Sequence, residues 1–260
     1  MTASAPSPRV GTWLKLGAVE TMEIVAAAGL DFAIVDLEHA LIDLHTLNGM
    51  LACAAGLGID ALVRVPDHSP ALAKQALDNG AAGIVVPNVD TAEQARRIAG
   101  SLRFPPMGSR GLSVSGRAGG WGRLEPLNYM ARQNDSAQLW LQIESPRAVR
   151  NAAEIAAVDG VDGLLVGPAD LFASTLAAEA IGDHAVGLAT TRVGELLAEL
   201  EETCRAGGIA LGTAGGTDPA VARQLADRGY CLLVLGNDAG LLHAGARELA
   251  SIFRPTIPTP

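Results

Sequence analysis

Short apolar runs of four or five residues recur along the chain at positions 12–16, 32–36, 61–65, 83–87, 139–143, 163–166, 209–212 and 232–235. Runs of that length, rich in Val, Ile and Leu, suit buried parallel strands better than helices. Between most of them lie amphipathic patterns with helical spacing, among them AVETMEIVAAAG, SPALAKQALDNG, TAEQARRIAGSL, SPRAVRNAAEIAAV and DPAVARQLADRG. Several open on Ser, Thr or Asp and close on Gly, the residues that start and stop helices. Strand then helix, repeated eight times, predicts a closed parallel (β/α)8 TIM barrel of the α/β class. The structural rival is a doubly wound open sheet, but no GxGxxG follows the first strand.

The length, 260 residues, suits a single barrel domain over 1–260 with loose tails at about 1–9 and 254–260. Only 3% of the residues are aromatic against 49% hydrophobic, so Ala, Leu and Val must fill the core. The 28 acids against 19 bases give a net charge of −9, without any Lys/Arg run. Nucleic acid and anionic membrane are therefore not expected partners, and an anionic substrate would need a local Arg. No apolar stretch reaches the length of a membrane span, and the opening MTASAPSPRV has neither a basic start nor a hydrophobic centre, so a cytoplasmic location is expected. Cys53, Cys204 and Cys231 show no CxxC or His spacing and read as core thiols. Two connections, 104–137 and 171–190, are longer than a barrel requires, and such loops carry function or subunit contacts.

In a TIM barrel the active site forms at the carboxyl ends of the strands. The polar residues predicted there are Asp36, Glu38 and His39 after the second strand, Arg64 after the third, and Gln142 and Glu144 after the fifth. The sixth is followed by Gly167, Pro168, Ala169 and Asp170, and the eighth by Asn237 and Asp238. Glu144 and Asp170 on adjacent strand ends suit a hard divalent cation such as Mg²⁺ or Mn²⁺; the alternative is that one caps a helix and the other a turn. Arg64 is read as a carboxylate binder, against a surface salt bridge. His39 beside Asp36 fits a general base oriented by an acid, against a solvated helix-start histidine. His45, His68, His184 and His243 lack such a cluster. GTAGGTDP, at 212–219, reads either as a phosphate cradle or as a tight turn before a helix cap.

The segments VDLEHA, VRVP, KQALDNGAAGIVVPNV, FPPMGSRG, LQIESPRAV and VDGLLVGPADL, in that order, resemble the HpcH/HpaI aldolase family of metal-dependent pyruvate aldolases. The resemblance runs from about residue 11 to 253 and implies a barrel assembled as a homo-trimer or homo-hexamer, its last helix exchanged between neighbours. It implies a divalent metal, Mg²⁺ or Mn²⁺ with Co²⁺ a further candidate, held by Glu144 and Asp170. It implies that Arg64 binds the carboxylate and oxo group of pyruvate, that His39 with Asp36 forms the base, and that the backbone of Ala169 and Asp170 holds the carboxylate. Gln142 would hold a water on the metal or the pyruvate, and Gly111 would line the acceptor side. Asp78 would reach a neighbouring subunit's site, although as a residue it reads equally as the polar end of a helix. The implied reaction is reversible cleavage of a 4-hydroxy-2-oxo acid into a 2-oxo acid and an aldehyde through an enolate.

Phe172 departs from the resemblance, standing where many relatives carry a small residue after GPxDL, and puts the acceptor aldehyde in question. Three other functions compete. An acyl-CoA or citrate-type lyase would share the paired carboxylates but lacks an obvious basic site here for the CoA phosphates. A Schiff-base aldolase would have to use Lys15, since the other lysine, Lys74, belongs to a helix pattern. A non-catalytic oligomeric binder of small acids is the third.

Overall fold

Eight parallel strands hydrogen-bond side by side until the last returns to the first, in the order β1-β2-β3-β4-β5-β6-β7-β8. They are β1 (Arg9–Leu14), β2 (Phe32–Asp36), β3 (Asp60–Arg64), β4 (Gly83–Val86), β5 (Gln138–Ile143), β6 (Gly163–Val166), β7 (Leu211–Gly215) and β8 (Leu232–Asn237). The helices are α1 (Val19–Ala27), α2 (Leu44–Leu57), α3 (Pro70–Asp78), α4 (Ala92–Leu102), α5 (Pro126–Ser136), α6 (Pro146–Arg150), α7 (Ala152–Ala156), α8 (Pro168–Ala178), α9 (Ala185–Gly207), α10 (Pro219–Asp227) and α11 (Asp238–Ser251). This computed structural model describes residues 7–178 and 185–253. Residues 1–6 and 254–260 of the predicted tails, and residues 179–184 of the second long connection with His184 among them, lie outside the described residues, while Arg9, expected in the first tail, opens β1.

The expected strands form, with shifts at β1 and β7 that have local causes. Lys15 and Leu16 leave the sheet because both backbone N–H groups donate to the Asp238 carboxylate, at 2.9 and 2.9 Å. Ile209 stands just past the end of α9 instead of starting β7, its N–H donating back to the Cys204 carbonyl at 2.9 Å.

Alternation along the strands builds two apolar layers. Trp13, Phe32, Ile34, Leu62, Val85, Trp140, Leu165, Leu232 and Val234 fill the barrel interior. The residues between them, such as Ala33, Val35, Val63, Ile84, Leu141 and Leu164, join the helices in an outer core. With few aromatics available, Trp140 is accommodated by a missing side chain: a Cβ on Gly163 would overlap its ring. Moving up each strand by two residues keeps the inward direction, so Lys15 stands above Trp13, Asp36 above Ile34, Arg64 above Leu62 and Gln142 above Trp140. The interior therefore changes from apolar to charged at the carboxyl end of the strands.

The first long connection includes α5, and its irregular part, 103–125, lies at the other end of the barrel, because it leads from the end of a helix into the start of a strand. Ala118 donates its N–H to the Asp78 carbonyl at 3.1 Å, and Arg117 donates to the Asn79 carbonyl at 3.2 Å and to Asn48 at 2.9 Å. Asp218 caps α10 through the Ala220 N–H, which is the turn-before-cap reading of GTAGGTDP. Among the described residues, no helix is long and apolar enough to cross a membrane.

Candidate active site

Asp36 is the hub of the charged layer. Its side chain is fully buried and accepts hydrogen bonds from Arg64 Nε at 3.0 Å and Arg64 Nη2 at 2.8 Å, while Lys15 Nζ sits 2.8 Å away. The backbone N–H groups of Glu38 and His39 donate to it as well, at 3.1 and 3.2 Å. Register explains the pairing: Asp36 and Arg64 are direct partners on β2 and β3, and the register of Leu14 with Val35 brings Lys15 alongside. Burial raises the Asp36 carboxyl, but the hydrogen bonds from Arg64 and Lys15, with the Arg64 charge, outweigh it and hold the group at about 2.

That depressed value has a consequence for stability. The Asp36 contribution is complete above its ordinary 3.8 and is lost as pH falls toward 2. The shift corresponds to about 2 kcal/mol. Urea denaturation at about pH 5 and about pH 2.5 should show a larger loss in the parent than in Asp36→Asn, by roughly that amount. Equal losses would contradict this account.

Arg64 is buried at 4% exposure, and a guanidinium so placed must be paired. Besides Asp36, its Nη1 lies 2.9 Å from Glu38 Oε2 and 3.5 Å from Gln142 Oε1. Trp13 closes the other side, its ring 4.2 Å from the guanidinium carbon in cation–π contact. Glu38 Oε2 is buried and ion-paired without a hydrogen bond of good geometry. Burial raises the Glu38 carboxyl, against the opposing pull of Arg64 and His39.

Glu144 extends the network toward β6. Its Oε1 accepts from Gln142 Nε2 at 2.7 Å and its Oε2 from the Asn88 backbone N–H at 2.9 Å. Asn88 holds the left-handed φ of 57° that directs this N–H inward. Gly167 makes room on the opposite side, since a Cβ there would come within 2.7 Å of Glu144 Oε1. Burial, against the Asn88 hydrogen bond and with repulsion from Asp170 and Glu38, pushes the Glu144 carboxyl up to about 7. The helix-cap alternative for Glu144 fails, because the cap of α6 is Ser145, which accepts the Ala148 N–H at 3.0 Å. Asp170 lies exposed in the first turn of α8. The first i to i−4 bond there, from Leu171 N–H to the Gly167 carbonyl, leaves the N–H groups of Ala169 and Asp170 as the donors that a helix start offers an anion.

Four carboxylates, Asp36, Glu38, Glu144 and Asp170, thus face two cations, Lys15 and Arg64. Among the described residues no group of three or more His, Cys, Asp or Glu is placed to hold a metal. Mg²⁺, however, is commonly bound by one or two carboxylates and completed by water and substrate, so the pair Glu144 and Asp170 fits it.

The family model described as HpcH/HpaI aldolase/citrate lyase matches residues 9–244. The chain belongs to the HpcH/HpaI aldolase/citrate lyase family. It is 35% identical over 246 residues to the 2-dehydro-3,6-dideoxy-6-sulfogluconate aldolase of Pseudomonas putida, covering 95% of this chain and 91% of the relative. It is also 35% identical to the 5-keto-4-deoxy-D-glucarate aldolase of Salmonella arizonae, over 96% of this chain and 94% of that one. A solved HpcH/HpaI aldolase/citrate lyase family protein from Burkholderia cenocepacia J2315 superposes with a TM-score of 0.84 at 33% identity, covering 94% of each chain.

Within this HpcH/HpaI barrel, one sequence expectation changes. Asp36 does not orient the His39 ring: it meets His39 through the backbone N–H, and the acid beside the exposed imidazole is Glu38, 3.7 Å from Nε2. Asp78 and Gly111 stand apart from Glu144 in the same chain, at the amino end of the barrel. Asp78 closes α3, accepting from Arg110 Nη2 at 2.5 Å and the Tyr129 hydroxyl at 3.4 Å, and Gly111 is exposed in the loop packed there. Lys15 is engaged as a donor to Asp36, whereas a Schiff-base nucleophile must present a free lone pair. Phe172 is half-buried in α8, one residue beyond the fully buried Leu171. Two residues of the site, Trp13 and Asn88, are weakly marked in the sequence: the two-residue step from Trp13 to Lys15 is the one signal for the first, and nothing local marks the second.

Proposed function

We propose that the chain is a class II aldolase that uses a divalent cation, Mg²⁺, Mn²⁺ or Co²⁺, held by Glu144 and Asp170. It cleaves a 4-hydroxy-2-oxo acid reversibly into pyruvate, or a related 2-oxo acid, and an aldehyde. The observation that carries this reading is Glu144: buried, raised to about 7, and set among Asp170, Glu38 and Arg64. When bound, the cation supplies Lewis acidity toward the 2-oxo carbonyl.

The remaining work falls to the chain's own residues. Arg64, locked by Asp36 and Trp13, offers a fixed positive charge to the substrate carboxylate without reorganising as charge develops. The first-turn N–H groups of Ala169 and Asp170 hold the same carboxylate. Gln142 bridges Arg64 and Glu144, fixing the distance between the anion binder and the metal ligand. His39, exposed at the rim, takes the 4-hydroxyl proton in cleavage and returns it in condensation. Asp36 stays ionised and positions the turn that carries His39. The names of the two relatives specify acids with an anionic group at the far end, a sulfonate in one and a second carboxylate in the other.

We further propose a homo-oligomer, trimer or hexamer, in which α11 packs on a neighbour and Asp78 with Gly111 completes the neighbour's site. Leu241, Leu242, Leu249, Ile252 and Phe253 leave an exposed apolar surface on and after α11. Light scattering should give a mass of three or six chains, falling toward one in Leu242→Asp/Leu249→Asp; a monomeric parent would overturn this assembly.

The activity is tested without knowing the aldehyde. The protein is incubated with pyruvate in D₂O, with EDTA or with each cation, and deuterium in the methyl group is read by mass spectrometry after quenching. Metal-dependent deuteration well above the metal-only control is expected. Deuteration equal to that control with every cation would sink the pyruvate reading.

A further inference from the structure

We infer that His68 is a positioning residue for Glu144, acting across the end of β4 through a single peptide group. His68 Nε2 lies 2.8 Å from the Pro87 carbonyl oxygen. A carbonyl only accepts, so Nε2 carries the proton and donates. The Asn88 N–H, on the other side of the same peptide bond, donates to Glu144 Oε2 at 2.9 Å. A trans peptide is planar, with its C=O and N–H pointing in opposite directions, so holding one fixes the other. The inference rests on the reading of Glu144 as a metal ligand and extends it to a histidine outside the charged layer.

The peptide needs holding. Asn88 has a φ of 57°, in the left-handed region that side chains disfavour. A half-turn of the Pro87–Asn88 peptide plane would carry Asn88 into the extended region and turn its N–H away from Glu144. The chain just beyond is tied down: the Val89 N–H donates to the Gln142 carbonyl at 3.3 Å, and Asp90 accepts from the Ser145 hydroxyl at 2.5 Å and from Asn151 Nδ2 at 2.7 Å. Those bonds fix residues past 88 but leave this peptide plane free to turn. The bond from His68 opposes the turn, because a flip would break it together with the bond to Glu144. His68 is itself held in place. It stands in a turn closed by the Ser69 N–H donating to Asp67 Oδ1 at 2.7 Å, and its ring borders a narrow crevice with Val65, Val86 and Leu102. Two hydrogen bonds in series through one peptide also polarise each other, which strengthens the grip on the carboxylate.

Pro87–Asn88 is the one Pro-Asn dipeptide in the sequence, so ¹³C-carbonyl proline with ¹⁵N-asparagine isolates the Asn88 amide by NMR. In the metal-free parent its proton should resonate downfield, as a donor to a carboxylate. It should move upfield in His68→Met, which fills the space without a donor; His68→Ala serves the same purpose if Met does not fit the crevice. His68→Gln places an N–H the same number of bonds from the backbone and should return the signal. Calorimetric Mg²⁺ affinity at one pH should fall about tenfold in His68→Met and recover in His68→Gln. A histidine that serves only its own loop would move neither reading. An Asn88 proton that stays in place without the donor, an unchanged Mg²⁺ affinity, or a loss that His68→Gln fails to restore would each overturn the assignment. If Mg²⁺ does not bind the parent, the reading of Glu144 as a metal ligand falls, and the amide signal, recorded without metal, still decides whether His68 positions Glu144.

Discussion

Replacing Glu144 by Gln should lower metal-dependent deuteration of pyruvate by about a thousandfold while the protein remains folded. The magnitude follows from losing one of two carboxylates that hold the cation, and with it several kcal/mol of charge stabilisation in the transition state. The fold should tolerate the change because the amide has the same shape in the pocket left by Gly167. Two effects on stability oppose each other. The amide removes a buried charge that Asp170 and Glu38 repel, but both Glu144 oxygens now accept hydrogen bonds, from Gln142 and from the Asn88 backbone. One of these donors must face the new NH₂ group, at a cost of about 1–3 kcal/mol. The melting temperature should therefore move little, and calorimetric Mg²⁺ binding should vanish. Retained deuteration with retained Mg²⁺ dependence would remove Glu144 from the metal site.

Arg64→Met should cost about 3–5 kcal/mol, because it strands charges that the fold has buried. Asp36 is fully buried and would keep only Lys15 and two backbone donors, and Glu38 would lose the guanidinium that pairs with it. For a chain of this size the loss corresponds to a fall in melting temperature of roughly 10 °C. The double variant Arg64→Met/Asp36→Asn should recover part of that loss, since the stranded carboxylate goes with its partner. Pyruvate binding should not recover in the double variant, which separates Arg64 as an anion binder from Arg64 as a counter-ion. Recovery of both would mean that Arg64 serves only the fold.

The charged layer divides instructively between what was legible and what was not. Asp36, Arg64, Gln142 and Glu144 could be placed at strand ends because an apolar run that stops in a polar residue marks its own carboxyl end. Their partners could not be read in the same way. Lys15 looked like a lone strand lysine, yet it shares Asp36 with Arg64 across two interstrand contacts. Glu144 sits beside SPR, a local helix-start signal that belongs to Ser145. His39 follows Asp36 by three residues, but that spacing forms a turn in which the carboxylate takes backbone N–H groups and leaves the ring to Glu38.

By itself the sequence determined the strand and helix alternation, the closed parallel class and the charged ends of strands two, three and five. These depend on the spacing of apolar residues and on caps, which act over a few neighbours and are written locally. Only the tertiary structure decided that Asp36 is an anchor shared by two cations, that Trp13 and Asn88 shape the site, and that Asp78 and Gly111 stand at the opposite end of the barrel from Glu144. Closure of the sheet and its register bring residues 15, 36 and 64 within hydrogen-bond reach, and the direction of each helix sends a connection to one end of the barrel or the other. Such contacts join positions far apart in the chain, so no local pattern encodes them.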